Sequence, residues 1–281
     1  MAKEKFDLAF GLGPACSCTM SLRRAGLQHL SFPYDWIGPK ENTPEFDIDV
    51  RTRAEQIAAE FHGWLNPADF MKFDPPDGAL APRDCYFNEG LRLLFIHDFP
   101  KGSDFETEFP KIKEKYRRRI GRLLELIRSS KRVLLLRVDR PDLRARTSVE
   151  DCKAAVRILS EKFAPAKFEL LLLHCEADRP FENLLETDHG DGVRSIVFDY
   201  RGVIPDLPSF QPNFSLIERL LTSRFSVRDY RTSAERAEKK RRERQAKYRQ
   251  YGVSNWWQLR LARWRKRLAR HFVKNPRAAA R

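Results

Sequence analysis

The sequence has few cysteines, and their spacing is not that of a metal site. The five cysteines are an odd number scattered along the chain, with no Cys-x-x-Cys or paired Cys/His motif among them. A disulfide framework and a structural zinc site are therefore not expected. We predict that the protein binds no metal and no cofactor. The cysteines are Cys16, Cys18, Cys85, Cys152 and Cys175.

Long hydrophobic runs are also absent. No apolar segment approaches the roughly 18 residues needed to cross a bilayer as a helix. No apolar leader follows the opening MAKEKFDLAF, and no internal repeat is visible. These absences predict a cytoplasmic protein without a transmembrane segment.

The whole chain has a formal net charge of +14. Its positive charge is concentrated at the C-terminal end. Of the 53 Lys and Arg residues, 18 lie in residues 231–281, which leaves 35 elsewhere. Of the 39 Asp and Glu residues, 3 lie there, which leaves 36. The body is thus nearly neutral. We predict a domain over residues 1–225 and a basic extension over residues 226–281.

Short apolar runs alternate with helical patterns along the body. FDLAFGLG, RVLLLRV, FELLLLHC and RSIVFDY predict strands, and CYFNEGLRLLFIHDF predicts two strands around a tight turn. Continuous apolar strands are typical of parallel sheets. We predict a layered α/β fold, with a mostly parallel sheet and flanking helices, and a basic helical C-terminal extension. Apolar spacings of three and four predict helices over residues 14–26, 51–65, 109–127, 149–163 and 214–221.

Polar side chains cluster where the predicted strands end. Ligands of open parallel sheets bind beyond the carboxyl ends of the strands, so one edge would gather these groups. The strand with His97 is the exception, because its hairpin partner would be antiparallel. The groups are Cys16, His97 with Asp98, Arg137, His174 with Cys175, and Asp199.

Cys16 follows the first strand and lies in the first turn of the predicted helix if Pro14 begins that helix. Unpaired N–H groups and the helix dipole would stabilise its thiolate and lower its pKa. Cys18 lies about 200° around the helix and is expected in the core. The alternative for Cys16 is a small buried residue.

Several motifs in order then resemble a known family. LGPAC with LRRAGL, SFPYDWIG, FIHDF and KEKYRRRIGRLLELIRSSKRVLLLR are similar to bacterial and viral domains of unknown function described as papain-like cysteine peptidases. The resemblance covers about residues 6–175. It implies a cysteine nucleophile at Cys16 and a histidine at His97.

His97 is the general base that we predict for Cys16. Its neighbour Asp98 would face the other way along the strand, so Asp35 of the PYDW motif is the better third member. His174 is a rival base. Each of these residues could instead be structural.

A transferase is the second hypothesis. Gly11 and Gly13 lie between a strand and a helix as in dinucleotide-binding turns, although the third glycine of that motif is replaced by Cys16. Arg137 could hold a phosphate or carboxylate with them, or pair with Asp139 or Asp98. His174 would line the same anion-binding site, and the ligand would be a nucleotide sugar or another phosphorylated molecule.

The end of the chain has the pattern of an interfacial membrane helix, with Trp and Leu on one stripe beside arginines. Nucleic acid is the second partner considered, and docking of the stripe on the body is the third alternative. If the helix binds a membrane, the protein would be peripheral at the inner face of that membrane. The contact residues are Trp257, Arg260, Arg263, Trp264, Arg267 and Arg270.

Three functions remain open from the sequence. The first is a cysteine hydrolase acting on an acyl, peptide or glycan-related substrate, and the second is the transferase. The third is a non-catalytic binding module.

Overall fold

The computed structural model describes residues 2–13, 16–38, 49–73, 83–139, 146–202, 212–251 and 258. The strands in these ranges are β1 (Glu4–Phe6), β2 (Leu8–Gly11), β3 (Ile37–Gly38), β4 (Phe70–Phe73), β5 (Arg83–Asn88), β6 (Leu93–Pro100), β7 (Arg132–Val138), β8 (Lys167–Cys175), β9 (Leu185–Asp188), β10 (Val193–Phe198) and β11 (Phe225–Val227). The α-helices are α1 (Cys16–Arg24), α2 (Val50–Ala58), α3 (Phe105–Ser129), α4 (Val149–Lys162), α5 (Phe214–Arg224) and α6 (Ser233–Tyr251).

A five-stranded sheet, ordered β2-β7-β8-β10-β9, forms the centre of the body. Its first four strands are parallel, and β9 pairs with β10 in the antiparallel direction. The predicted α/β class and the mostly parallel sheet are thus confirmed. The stacking of its elements in layers stays a prediction.

The main hydrophobic core lies between this sheet and two helices. Alternate residues of β7 point into it, since side chains alternate along a strand. Helices α1 and α5 cover this side and contact each other. Core residues include Leu134, Leu136 and Val138 of β7, Cys18 and Leu22 of α1, and Ile217, Leu220 and Leu221 of α5.

A separate four-stranded antiparallel sheet is ordered β3-β6-β5-β4. Strands β5 and β6 form the predicted hairpin. Phe70, Phe95, Phe105 and Phe109 pack together between this sheet and α3, with ring centroids 4.9 to 6.0 Å apart. The strand with His97 was predicted to have an antiparallel hairpin partner. This is confirmed, because β6 pairs with β5 in the antiparallel direction.

Two local details differ from the sequence predictions. The segment predicted as one first strand forms β1 and β2, because Asp7 between them accepts hydrogen bonds from the N–H groups of Lys131 and Arg132. The helix predicted over residues 51–65 ends at Ala58, since Glu60 and Phe61 have positive φ values of 54° and 61° that an α-helix does not admit.

The chain divides into two compact units, residues 1–229 and 230–281. In the second unit, Thr232 and Glu235 form a reciprocal pair of side-chain-to-backbone hydrogen bonds at the start of α6. Glu238 pairs with Arg241 and Arg242 within the same helix. Ion pairs between neighbouring turns thus support a helix that has few apolar side chains.

Gly13 should not tolerate a side chain. Its φ is +90°, and a Cβ atom would lie 2.6 Å from Cζ of Arg53, which is fully buried. We expect Gly13→Ala to lower the free energy of unfolding by about 3 kcal/mol, from backbone strain and overpacking together. Chemical denaturation would measure this loss.

Gly26→Ala is the matched control, since Gly26 has φ +71° but nothing lies within 4 Å of its added Cβ. It should cost only about 1 kcal/mol, the strain alone. Equal losses in the two variants would contradict the close contact with Arg53.

Candidate active site

Cys16 is the first residue of α1, directly beyond the turn that leaves β2. The N–H of Leu12 donates to the carbonyl oxygen of Leu136 at 2.9 Å, so the turn starts at the carboxyl edge of the five-stranded sheet. Cys16 is partly exposed, and no acidic residue lies in the first turn. The N-terminus of a helix favours an anion, so this position favours a thiolate.

Cys18 has the opposite environment. It is buried, its thiol donates to the carbonyl oxygen of Gly13, and its sulfur accepts from the N–H of Val138 at 3.2 Å. Burial raises the pKa of the Cys18 thiol to about 12, although the charges of Arg137 and Arg53 act in the other direction. This thiol stays protonated and faces β7.

The face of α1 that carries Cys16 holds the PYDW turn. Cys16, Thr19 and Arg23 are spaced by three and four residues and so share one face of the helix. Asp35 accepts a hydrogen bond from Oγ1 of Thr19 at 2.9 Å and forms an ion pair with Arg23 at 3.2 Å. The turn Pro33–Trp36 is therefore bound to the Cys16 side of α1.

Asp35 is a fully engaged carboxylate, with only 2% of its surface exposed. Nε2 of Gln28 donates to both of its oxygens, at 2.9 and 2.8 Å, and the N–H of Phe32 donates at 2.9 Å. Burial raises the pKa of Asp35, while these hydrogen bonds act to lower it. These hydrogen bonds fix the PYDW turn. The partners of Asp35 named above lie in α1 and in the segment before the turn.

His97 lies inside β6, and its ring meets the ring of Trp36 edge-on at a centroid distance of 5.8 Å. Trp36 also lies under the guanidinium of Arg23, 5.4 Å away. Ile37, directly after the turn, pairs with Phe95 of β6, two residues before His97. His97 is thereby linked through Trp36 to the face of α1 that carries Cys16.

His97 is exposed, and the ring of Trp36 contacts its imidazole. Desolvation lowers its pKa, more than the charge of Asp98 raises it. Asp98 points away from His97 and bonds Lys115 and the hydroxyl of Tyr116 on α3. A neutral imidazole near pH 7 is the form that accepts a proton.

A second network lies at the carboxyl edge of β7 and β8. Nδ1 of His174 is 2.8 Å from Oδ2 of Asp139, and Arg137 binds Asp139 at 3.4 Å and Thr147 at 3.0 Å. Arg137 also donates to the carbonyl oxygen of Leu12 at 3.1 Å. Arg137 and His174 are 5% and 8% exposed. The network thus ties β7, β8 and the turn before α1 together.

The two glycines of the turn lie against neighbouring side chains. A Cβ atom on Gly11 would be 2.6 Å from Cβ of Cys18, as one on Gly13 would be from Arg53. Close packing of α1 and of Arg53 therefore requires both glycines. Their part in binding an anion, with Arg137 and His174, stays a prediction.

Arg53 was not among the predicted site residues, although the sequence carried a signal for it. Val50, Arg53, Ala54 and Ile57 form the buried stripe of α2, so the helical period places Arg53 in the interior. Asp139, just after β7, was expected only as one of two alternative partners of Arg137, and it is the one observed. The contact between Trp36 and His97 had no local signal, because it joins segments 61 residues apart.

The predicted contact residues of the tail, from Trp257 to Arg270, lie outside the described residues. Where the structure is described, no helix is long and apolar enough to cross a membrane. Among the same residues, no group of three or more His, Cys, Asp and Glu side chains could hold a metal ion.

The features above define the class of protein. It has an α/β body, a cysteine at the start of a helix, and a histidine linked to that helix through the PYDW turn. The chain belongs to the family described as "Putative papain-like cysteine peptidase (DUF1796)", whose model matches residues 7–177. This confirms the family predicted from the motifs.

A viral relative is known by sequence. An uncharacterized protein of Acanthamoeba polyphaga mimivirus is 26% identical over 152 residues, which are 51% of this chain and 67% of the viral protein. No solved structure matches the chain significantly.

Asp139 should stabilise the fold in a pH-dependent way. Burial raises its pKa, but His174, Arg137 and Thr147 outweigh burial and hold the pKa below its usual range. The stabilisation is therefore fully present at a pH above the pKa of Asp139 in the unfolded chain. It is lost as the pH falls through the lower pKa of Asp139 in the folded protein. We expect Asp139→Asn to cost about 2 kcal/mol at pH 7.

Urea denaturation from pH 7 to pH 3 would test this, with Asp191→Asn as the control because Asp191 is 75% exposed. The deficit of Asp139→Asn should shrink below about pH 4, and the control should stay near wild type throughout. A deficit that is independent of pH would mean that the charge of Asp139 contributes nothing.

Proposed function

We propose that the protein is a cysteine hydrolase in which Cys16 is the nucleophile, His97 is the general base, and Asp35 positions the segment between them. The observation that carries this proposal is the binding of the PYDW turn to the Cys16 face of α1, through Thr19 and Arg23. The family description supports it independently.

The electrostatics of the turn favour an ionised Cys16. The first turn of α1 supplies N–H dipoles, and Arg53 lies against Gly13, three residues earlier. Cys16 is also partly exposed, so ionisation does not carry the cost of burial that it has at Cys18. Such surroundings lower thiol pKa values to about 3.5–7.5 in other proteins.

The chemistry follows from these positions. His97 accepts the thiol proton, and the sulfur of Cys16 attacks the carbonyl carbon of an acyl substrate, forming a C–S bond. The tetrahedral intermediate collapses, the bond to the leaving group breaks, and His97 returns the proton to that group. Water, activated by His97, then hydrolyses the thioester and frees the thiol.

His97 suits the role of base better than His174. His174 is 8% exposed and bound to Asp139, on the part of the sheet that the thiol of Cys18 faces. Cys16 points about 200° away from Cys18 around α1, toward the side where Thr19 and Arg23 bind the PYDW turn. Trp36 on that turn contacts His97 and not His174.

Alkylation by iodoacetamide would test the proposed pair. Cys16→Ala should abolish fast labelling near pH 7, and His97→Ala should slow labelling of Cys16 roughly 10²-fold. Cys175→Ala is the matched control, since Cys175 is also partly exposed but burial raises its pKa. It should label as wild type does.

His174→Ala separates the two histidines. It should leave the rate of Cys16 alkylation near that of wild type. If His174→Ala slowed the reaction and His97→Ala did not, the assignment of the base would be wrong. If Cys16 of the wild type reacted no faster than a small free thiol, no activated cysteine would exist.

We further propose that the end of the chain contacts an anionic membrane surface. The stripe of Trp257, Leu261, Trp264 and Leu268 lies beside arginines in the sequence. An apolar stripe of this kind inserts at the interface, and each nearby basic residue adds about 1 kcal/mol on an anionic leaflet. The stripe supports a membrane partner over nucleic acid, because phosphate contacts alone do not require it.

Co-sedimentation with vesicles would test the membrane contact. The full chain should pellet with phosphatidylglycerol-containing vesicles but not with pure phosphatidylcholine, and removal of residues 255–281 should end binding. A Trp257→Ala, Trp264→Ala variant keeps the charge and should bind more weakly. Equal binding to both lipids would exclude the electrostatic part, and tighter binding to duplex DNA than to either would favour nucleic acid.

A further inference from the structure

A cavity of about 540 Å³ lies at the carboxyl edge of the five-stranded sheet. Small-molecule sites in proteins usually measure about 300–1,000 Å³, and ligands of open α/β sheets bind beyond the carboxyl ends of the strands. The cavity therefore has the size and the place of a ligand site. Its lining includes Phe181, which follows β8, Asp199 and Arg201, which follow β10, and Asn213 and Leu216 at the start of α5.

This cavity is separate from the turn that carries Cys16. Strands β7 and β8 lie between β2 and β10 in the sheet, so the ends of β2 and β10 are roughly 14 Å apart at the usual spacing of strands. None of the described residues that line the cavity belongs to α1. A ligand bound here therefore need not react with Cys16, whether or not the chain is a hydrolase.

Phe181 and Leu216 give the cavity an apolar wall. Both side chains are partly buried and pack against the main hydrophobic core. The ring of Phe181 meets that of Phe198 edge-on at 5.5 Å, and the guanidinium of Arg219 lies 4.3 Å from the centroid of Phe181. Because the wall is held in place before a ligand arrives, covering an apolar group there costs little reorganisation.

The carboxylate of Asp199 already has a full set of donors. Nε of Arg201 donates to it at 3.0 Å, Nη2 at 2.6 Å, and the N–H groups of Asp178 and Arg201 each at 3.0 Å. A carboxylate has about four acceptor positions, so these donors leave none for a ligand. Hydrogen bonds from Arg201 lower the pKa of Asp199 to about 2, which keeps the pair ionised at neutral pH. Glu182, a second carboxylate at the cavity, pairs with Arg219 at 3.7 Å.

Two hydrogen-bond donors at the cavity are available to a ligand. Oδ1 of Asn213 caps α5 by accepting from the N–H groups of Ser215 and Leu216, at 3.2 and 3.4 Å. This contact turns the NH2 group of Asn213 away from the helix. In the described part of the chain, no acceptor lies within hydrogen-bond distance of that group or of Nη1 of Arg201. The bidentate pair with Asp199 fixes the plane of the Arg201 guanidinium, whose side chain is 49% exposed.

We propose that this cavity binds a small carboxylate that carries an apolar group. Nη1 of Arg201 and the amide of Asn213 donate to the carboxylate, and Phe181 and Leu216 cover the apolar group. Hydrogen bonds between a guanidinium and a carboxylate are the stronger, charge-assisted kind. A cationic ligand is disfavoured, because the acceptors of Asp199 are occupied by Arg201.

Binding of three probes to the full chain would test the ligand class. Phenylacetate has a ring and a carboxylate, acetate lacks the ring, and 2-phenylethylamine has the ring with the opposite charge. Titration by saturation-transfer NMR should show phenylacetate binding at least about tenfold more tightly than either. Equal binding of the amine would refute the carboxylate, and equal binding of acetate would refute the apolar wall. No measurable binding of phenylacetate would overturn the proposal.

Two variants test the assigned donors. Asn213→Asp keeps an acceptor that caps α5 equally well but replaces the amide donor by a negative charge, and Arg201→Gln removes Nη1. Each should weaken phenylacetate binding roughly tenfold. Arg24→Gln is the matched control, because Arg24 is 46% exposed and pairs with Glu218 at 3.2 Å, much as Arg201 pairs with Asp199, but does not line the cavity. It should bind phenylacetate as wild type does.

The place of the ligand is tested by Cys16→Ala, which should also bind phenylacetate as wild type does. Weaker binding by Cys16→Ala would place the ligand at the start of α1 and overturn the proposal. So would unchanged binding by both Asn213→Asp and Arg201→Gln, or an equal loss in Arg24→Gln, which would indicate a general effect of surface charge. Thermal unfolding of Asn213→Asp near that of wild type would assign its loss of binding to the donor and not to the fold.

Discussion

The candidate site depends on one buried carboxylate. Asp35 accepts from Thr19, Gln28, Arg23 and the N–H of Phe32, and these contacts join the PYDW turn to α1. Burying a carboxylate is unfavourable unless it is hydrogen-bonded and paired, so the segment must adopt the conformation that supplies all four donors. Trp36 then contacts His97. The antiparallel sheet and α1 are thereby set in a fixed relation by a residue that need not touch a substrate.

The turn between β2 and α1 shows why charge and packing cannot be treated apart here. Gly13 leaves room for the guanidinium of Arg53, and Arg137 reaches the carbonyl of Leu12 from the other side. Both arginines are almost fully buried, and a buried cation raises the potential of its surroundings far more than an exposed one. The same small residues that let α1 approach the sheet thus place two positive charges near its N-terminus.

The sequence predicted the strands whose hydrophobic pattern is unmistakable, such as β7 and β8, and the hairpin of β5 and β6. It did not predict β9 or β11, which are four and three residues long and too short to show the alternation of a strand. For the site, the order of the motifs indicated Cys16, His97 and Asp35 as candidates. It could not show that Asp35 binds α1, because that depends on Thr19 and Arg23, which are polar residues that no apolar pattern of the helix singles out.

Burial explains why one cysteine of five is the candidate nucleophile. Burial raises the pKa of Cys18 and of Cys152 to about 12, and it also raises that of Cys175. Cys85 is buried in the small cluster with Phe87 and Leu94. Cys16 alone combines partial exposure with a place in the first turn of a helix. Two residues along the same helix, Cys18 receives the same dipole and the charges of Arg53 and Arg137, yet desolvation outweighs them. Under the proposed function, the helix N-terminus would activate a thiol only where water can still reach it, and on α1 the partly exposed Cys16 meets that condition.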